Sequence, residues 1–414
     1  MGNRNYGSAA ILLTYAIALA ASAYFLLESP RFWAEEATLY YQNALNIGFR
    51  SIFSVINGNY QFLANAAAYL ATLVPPLYAP AVTTYISLAV DGIAVLGIVL
   101  MHRQGVVTLF GALGLSILWV LSMPKYEVQL TATNIQWVCA AGLIFFLAIR
   151  GDALGRARFA FLAWVALCGL TGVPSCLLFP AFLIKGYFEK DRTHTVAGII
   201  LLACVVVQAV VITHAGTTGR VYTRDPFLLV MPTAVQTILT PTFGADASNL
   251  LGAFLQQPLN RFSTASLSTF LLFIGALGGA VLAAARRETL VFAMMAGCLW
   301  IGTGVVQTFG ATGDPVALLG GIAGSRYYLT GLMCFLTLLA VGGARSQTVP
   351  KVLCSLLLVM FAANAVSQRA LAPWTVIFLT GPSWSEQVHK CPANEPCRLI
   401  AWPGGDWAVE TRNF

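Results

Sequence analysis

Charge is the scarcest property of this sequence. Of its 414 residues only 9% are charged and only 16 are acidic, whereas 58% are hydrophobic, and the mean hydropathy is +0.77. Soluble globular domains carry about a quarter charged residues, so this composition excludes a soluble globular protein. The net charge of +7 does not indicate nucleic-acid binding, because the basic residues are scattered at the ends of apolar runs.

Metal-ligating side chains and repeats are scarce too. The sequence has four histidines and no His/Asp cluster with the spacing of metal ligands, so we predict no cofactor, and nothing supports a divalent metal. The chain also lacks a convincing internal repeat, which disfavours a transporter built from inverted repeats.

Long apolar runs are what the sequence has instead. Continuous runs of about 18–22 residues predict an all-α polytopic membrane protein and not a β-barrel. The first run continues into Glu28-Ser29-Pro30-Arg31 without an A-x-A site, so we expect a transmembrane helix there and no cleaved signal peptide. About eleven transmembrane helices are predicted, at residues 9–27, 81–101, 105–122, 131–149, 158–171, 175–187, 195–213, 264–285, 290–309, 327–343 and 352–368.

The segment 28–80, between the first two spans, decides the topology. We predict two juxtamembrane helices in it, at 32–46 and 59–74, because the apolar part of the second is only about 14 residues long and does not reach across a bilayer. With the N-terminus cytoplasmic, the short inner loops and the N-terminal stub then carry 12 of the 23 lysines and arginines, which is the positive-inside pattern. A polar loop is predicted at 214–261, on the outer side.

The C-terminal tail is predicted to lie on the outer side as well. We divide the chain into a transmembrane domain (1–371), which includes the outer loop 28–80, and a short extracytoplasmic segment (372–414). Seven of the nine cysteines lie in apolar runs, where a thiol behaves as a small hydrophobe. Cys391 and Cys397 lie in the polar tail and predict a disulfide, provided that the tail faces an oxidising compartment.

Two adjacent carboxylates, Glu35 and Glu36, are the strongest functional candidates. A carboxylate at an aromatic-lined interface is partly desolvated, which raises its pKa and makes it a better base. The pair also fits a plain structural role, because carboxylates are favoured at the start of a surface helix. An arginine at a helix end can bind a phosphate with two hydrogen bonds. Further candidates on the predicted outer face are Lys125, Glu127, Asn134, Gln136, Trp137, Arg220, Arg326 and Tyr327.

These motifs resemble those of the GT-C superfamily of integral membrane glycosyltransferases, which includes the protein O-mannosyltransferases and the lipid A aminoarabinose transferases. The resemblance rests on Trp33-Ala34-Glu35-Glu36-Ala37 in the first outer loop and on Glu127-x6-Asn134-Ile135-Gln136-Trp137 in the second. It covers the first 140 residues best and is mainly topological beyond them. Members of these families carry an Asp-Glu or related pair after the first helix, whereas both acids here are glutamates, so the identity of the base stays open between Glu35 and Glu36.

The resemblance implies an inverting glycosyltransferase of the bacterial inner membrane, with its active site on the periplasmic side. The donor would be a polyprenyl-phosphate sugar and the acceptor a glycan or glycolipid, such as O-antigen, lipopolysaccharide or cell-wall polysaccharide. Glu35 would deprotonate the acceptor, and Glu36 or Glu127 would position it. Arg326, with Lys125 or Arg220, would bind the donor phosphate. Asn134, Gln136, Trp137 and Tyr327 would bind substrate.

Two other functions stay open at this point. A polysaccharide polymerase or ligase that uses a lipid pyrophosphate would rely on basic residues of a large outer loop, such as His214, Arg220 and Arg224. A lipid or solute transporter would use an acid within a membrane span, and Asp91 is such an acid. A lone acid beside a glycine more often forms a hydrogen bond to a neighbouring helix.

Overall fold

The computed structural model of the protein describes residues 2–123, 127–215, 222–310, 315–320, 324–345, 347–367, 383–392 and 395–411. These residues form a helical bundle with two short β-hairpins. Within these ranges, nine helices are long and apolar enough to cross a membrane, and four shorter apolar helices accompany them. The chain is therefore an all-α polytopic membrane protein, as predicted.

The elements follow one another along the chain with short connections. The α-helices are α1 (Gly2–Glu28), α2 (Gln42–Ile47), α3 (Phe62–Ala71), α4 (Ala79–Arg103), α5 (Leu109–Leu121), α6 (Ile135–Ala148), α7 (Arg158–Thr171), α8 (Val173–Cys176), α9 (Phe179–Phe188), α10 (Arg192–Ala215), α11 (Pro226–Ala234), α12 (Thr240–Phe243), α13 (Ala245–Gln256), α14 (Thr264–Ala284), α15 (Leu290–Phe309), α16 (Leu329–Gly342), α17 (Thr348–Ala365) and α18 (Trp384–Lys390). Two antiparallel hairpins pair β1 (Val55–Ile56) with β2 (Asn59–Tyr60), and β3 (Cys397–Ile400) with β4 (Ala408–Thr411). Two π-helical turns, Glu36–Tyr41 and Val235–Leu239, precede α2 and α12.

The centre of the bundle is formed by α6 and α16. Every residue of both helices is buried, whereas most residues of α10, α14 and α17 are not buried. Because α6 and α16 are enclosed by other helices, 14 residues suffice for each. Helices in contact with lipid need about 20.

Local signals explain several helix ends. The Thr108 hydroxyl accepts a hydrogen bond from the N–H of Gly111 at 3.1 Å, which is an N-cap, so α5 begins at Leu109 and not at 105 as predicted. The carboxylate of Asp225 accepts from the N–H of Phe227 at 3.0 Å at the start of α11.

Hydrogen bonds between loops show which helix ends lie together at the same end of the bundle. Gln104 and the backbone of Arg150 exchange two hydrogen bonds, at 2.7 and 3.2 Å, and Arg286 donates to the carbonyl of Val106 at 3.3 Å. We call this end of the bundle the Arg103 end. The opposite end, which we call the loop-1 end, carries the segments 29–78, 127–134, 384–392 and 395–411.

The prediction of a polar loop over 214–261 is wrong. Most of this region is helical, in α11, α12 and α13. The indole of Trp300, at the middle of α15, donates to the Thr237 hydroxyl at 2.9 Å, so the segment reaches the middle of the bundle. Arg261 then forms an ion pair with Asp225 at 2.6 Å. The two ends of the segment therefore meet, and residues 226–262 form a re-entrant helical hairpin.

This hairpin adds helices where a loop was predicted. It does not change the end of the bundle at which each later helix begins and ends. Pro226–Phe243 has the length and composition of a span, but its contacts show that the chain returns to the end from which it came. Arg286, which follows α14, consequently lies at the Arg103 end, where the prediction placed it. The predicted number of eleven spans is not confirmed.

The segment between α1 and α4 is close to its prediction. Residues Glu36–Tyr41 and α2 form one helical stretch and α3 a second. The first begins at Ala34, two residues later than predicted, because Trp33 forms a β-bridge with Trp402 of the tail. The tail contains the predicted disulfide between Cys391 and Cys397. The predicted domain boundary at 371/372 lies outside the described residues.

Candidate active site

Glu36 is buried in the protein and accepts hydrogen bonds with both carboxylate oxygens. Its side chain is 2% exposed. One oxygen accepts from the N–H of Trp33 and the other from the N–H of Ala132, each at 3.0 Å, and the Thr83 side chain also contributes a hydrogen bond. Glu36 thus ties the first loop to the segment before α6. Burial raises its pKa to about 7, although these three hydrogen bonds favour the charged form.

Glu35 has a different environment, although it is the adjacent residue. Its side chain is half-buried, and among the described residues none donates a hydrogen bond to its carboxylate. Its charge interacts with Arg326 and with Tyr40. Of the two glutamates, Glu35 is therefore the one with an accessible carboxylate near a cation.

Arg326 lies at the loop-1 end and is held by Glu127. Its guanidinium donates to the Glu127 carboxylate at 2.7 Å, and its side chain is 23% exposed. The guanidinium also lies 5.2 Å from the centre of the Tyr327 ring. The Tyr327 ring packs edge-on against Trp137, with 5.2 Å between the ring centres. Residues that are 190 positions apart in the sequence thus form one cluster of an ion pair and two buried aromatic rings.

The backbone of the second loop is fixed around Glu127. Its carbonyl accepts from the Thr131 hydroxyl and from the Asn134 side-chain amide, both at 2.6 Å. Leu130, between them, has a φ of 57°, a conformation that residues other than glycine rarely adopt. Asn134 therefore shapes this loop, and Gln136 packs instead against Gly172, between α7 and α8.

Tyr40 is a member of the site that the sequence prediction missed. It is 2% exposed, its hydroxyl is hydrogen-bonded with the Thr133 side chain, and burial raises its pKa, with the charges of Glu35 and Glu36 acting in the same direction. The sequence did contain a signal, because Tyr40 follows Glu36 by four residues and Glu35 by five. In a π-helical turn, residues at these spacings lie on one face.

Of the other predicted functional residues, two lie outside the described residues and three are described. Lys125 and Arg220 lie outside the described residues. His214 and Arg224 are exposed, and the His214 ring hydrogen-bonds with the carbonyl of Val210 in its own helix at 2.8 Å. Asp91 accepts a hydrogen bond from the Tyr15 hydroxyl of α1 at 3.2 Å, which is a contact between two helices.

No relative supplies a function for this arrangement. The described residues bring together no group of three His, Cys, Asp or Glu side chains that could hold a metal ion. A free carboxylate, a cation held by a second carboxylate and two aromatic rings are the chemical groups that the site offers. No protein-family model, no curated protein and no solved structure matches the chain.

Proposed function

We propose that this protein is an inverting glycosyltransferase of GT-C type, which transfers a sugar from a polyprenyl-phosphate donor to a glycan or glycolipid outside the cytoplasm. The observation that carries the proposal is that the half-buried Glu35 carboxylate interacts electrostatically with Arg326. The Glu35 carboxylate is available as a base, and Arg326, held by Glu127, offers a positive charge to a phosphate. The buried rings of Trp137 and Tyr327 pack next to that charge.

The reaction uses these groups in one displacement. Glu35 takes the proton of an acceptor hydroxyl, and the oxygen forms a bond to the anomeric carbon. The bond between that carbon and the phosphate oxygen breaks on the opposite face, and the electron pair leaves with the polyprenyl phosphate. Arg326 stabilises the negative charge that develops on this leaving group. The steps use side chains of this chain alone, so the proposal assigns no cofactor.

The proposal places the loop-1 end outside the cytoplasm and the N-terminus inside, in a bacterial inner membrane. Two observations support this orientation. The Arg103 end gathers the short basic loops that favour the cytoplasmic side, and the disulfide-bonded tail lies at the loop-1 end, as expected on an oxidising side. Nucleotide sugars are made in the cytoplasm, so a donor linked to a membrane lipid fits a site at this end.

The test is transfer by the purified protein in lipid nanodiscs. Polyprenyl-phosphate mannose, glucose and galactose, each with a radiolabelled sugar, are offered with lipopolysaccharide or a synthetic glycolipid as acceptor. Glu35→Gln should reduce the rate by about 100-fold or more, the usual contribution of a general base. Glu28→Gln, at the exposed end of α1, is the matched control and should leave the rate unchanged. Transfer at the wild-type rate by Glu35→Gln would contradict the proposal.

A further inference from the structure

The C-terminal segment, of which residues 383–392 and 395–411 are described, is packed against the loop that carries Glu35 and Glu36. Its helix α18 ends beside Cys391, and the disulfide joins Cys391 to Cys397 at the start of β3, with 5.7 Å between their Cα atoms. The strand β3 returns through Trp402 to β4. The described part of this segment is small, and a two-stranded hairpin on its own is marginally stable in water.

The backbone of Trp402 pairs with the loop immediately before Glu35. The N–H of Trp402 donates to the carbonyl of Phe32 at 3.0 Å, and the N–H of Ala34 donates to the carbonyl of Trp402 at 2.6 Å. These two bonds form a parallel bridge at Trp33, and the Trp33 and Trp402 rings lie 5.5 Å apart. The pairing ends one residue before Glu35.

A second attachment follows the acidic pair. The Gln42 side-chain amide donates to the carbonyl of Glu410 at 3.2 Å, and the N–H of Glu410 donates to the Gln42 amide oxygen at 2.8 Å. The strand β4 is therefore bonded to the first turn of α2. Glu35 and Glu36 lie between this attachment and the one at Trp402, so the tail holds the loop on both sides of the pair.

Aromatic packing joins the two attachments. Phe32 contacts Tyr41 on one side and the edge of Trp384 on the other, with ring centres 4.7 and 5.0 Å apart. These residues belong to a small apolar core that includes Leu399 and Val409 of the tail and is separate from the core of the bundle. The Trp384 indole also donates to the carbonyl of Pro76 at 2.8 Å. Part of the core under the acidic pair is thus supplied by the tail.

We propose that the C-terminal segment is the positioning element of Glu35, and that the Cys391–Cys397 disulfide is required to keep it in place. The disulfide restricts the unfolded forms of a segment that is too small to be stable alone. When it is reduced, the tail separates from residues 32–42, and the Glu35 carboxylate loses its fixed position. The kinetic consequence rests on the proposed function, whereas the structural consequence does not.

The structural part is tested by hydrogen–deuterium exchange on the full-length protein in nanodiscs. Relative to the oxidised wild type, Cys391→Ser/Cys397→Ser and the reduced wild type should exchange the amides of residues 32–42 about tenfold faster or more. Peptides from α6 should be unchanged. Cys298→Ser, at the exposed free cysteine, is the control for cysteine substitution. Unchanged exchange over 32–42 would overturn the proposal.

A variant that keeps the disulfide covers the case in which the double serine variant does not fold. Gln42→Leu removes both hydrogen bonds to Glu410, and its exchange over 32–42 should also rise. Asn46→Ala, which removes only the hydrogen bond that Gln42 donates within α2, is its control and should match the wild type. Wild-type exchange in Gln42→Leu would count against the proposal.

Kinetics separate positioning from stability. In Gln42→Leu, kcat for transfer should fall between about tenfold and 100-fold, because a displaced base is a poor base. KM for the donor should stay the same, because Arg326 and Tyr327 lie outside the tail contacts. A rise in donor KM at constant kcat would contradict a role for the tail in positioning Glu35. If the wild type transfers no sugar at all, the proposed function fails while the exchange result stands.

Discussion

At the residue scale, the division of roles between Glu35 and Glu36 is the main finding. The sequence predicts an acidic pair, but it does not predict which glutamate is buried. That outcome depends on Ala132, whose N–H comes from a loop 96 residues away and meets the Glu36 carboxylate. The ion pair of Glu127 with Arg326 joins distant residues in the same way. Such contacts follow from the packing of α1, α4, α6 and α16, which no local pattern contains.

The two glutamates should differ in their effect on stability. Glu36→Gln replaces one acceptor oxygen with an NH₂ group, so the N–H of either Trp33 or Ala132 loses its acceptor in a buried place. The expected cost in free energy of unfolding is about 1–3 kcal/mol. Glu35→Gln should cost less than about 0.5 kcal/mol. Thermal unfolding in detergent at pH about 4.5, where Glu36 is protonated in the folded protein, measures both, and equal melting temperatures for the two variants would contradict the assignment.

The raised pKa of Glu36 makes a prediction about pH. The ordinary value is 4.5 and the folded value is about 7, so the folded state binds more protons than the unfolded state between these values. Stability contributed by the protonated form is complete below pH about 4.5 and is lost as pH rises to about 7, by roughly 3 kcal/mol. Glu36→Gln should abolish this component. Melting temperatures of both proteins from pH 4 to 8 test it, and parallel curves would refute it.

At the element scale, the long apolar helices follow their predictions and the re-entrant hairpin does not. The spans at α4, α7, α10 and α15 begin and end within a few residues of the predicted limits, because uninterrupted apolar runs and terminal charges define them. The sequence predicts a loop in place of the hairpin because Pro232, Gln236 and Thr237 interrupt its apolar character. In the structure Gln236 is hydrogen-bonded to carbonyls of residues 318 and 320, and Thr237 to Trp300. Polar residues in this segment therefore indicate partners within the bundle.

The hairpin predicts that its two ends lie on the same side of the membrane. Because Asp225 meets Arg261, cysteines introduced by Arg224→Cys and Leu259→Cys should both react with a membrane-impermeant maleimide from the same side of intact cells. Arg103→Cys and Arg287→Cys should react only after the membrane is opened. The background variant carries Cys298→Ser, which removes the exposed free thiol. Labelling of 224 and 259 from opposite sides would show that the segment crosses the membrane.

At the scale of the whole molecule, the two ends of the bundle have different characters. The Arg103 end is closed by structural contacts: the buried Lys185 ammonium donates to the carbonyls of Leu147 and Ile149 at the end of α6, and Asp191 accepts from the N–H of Gly151 at 2.6 Å. The loop-1 end holds the partly exposed pair of Arg326 and Glu127 together with Glu35. A transporter would need polar groups that connect the two ends. Between them, the acid at mid-depth of α4 is Asp91, hydrogen-bonded to α1.

Asp91 therefore distinguishes an enzyme from a transporter. Asp91→Asn keeps an oxygen that can accept from Tyr15, so the contact between α1 and α4 should persist, and sugar transfer should stay within about twofold of wild type, since the change costs less than about 0.5 kcal/mol at the transition state. If Asp91 instead carried a proton or cation through the membrane, the neutral amide would abolish solute flux. Transfer of radiolabelled sugar to acceptor and release of labelled sugar across the membrane can be measured in the same proteoliposomes. Transfer at the wild-type rate by Asp91→Asn, with no solute flux that depends on Asp91, supports the enzyme. The proposed reaction uses only residues at the loop-1 end.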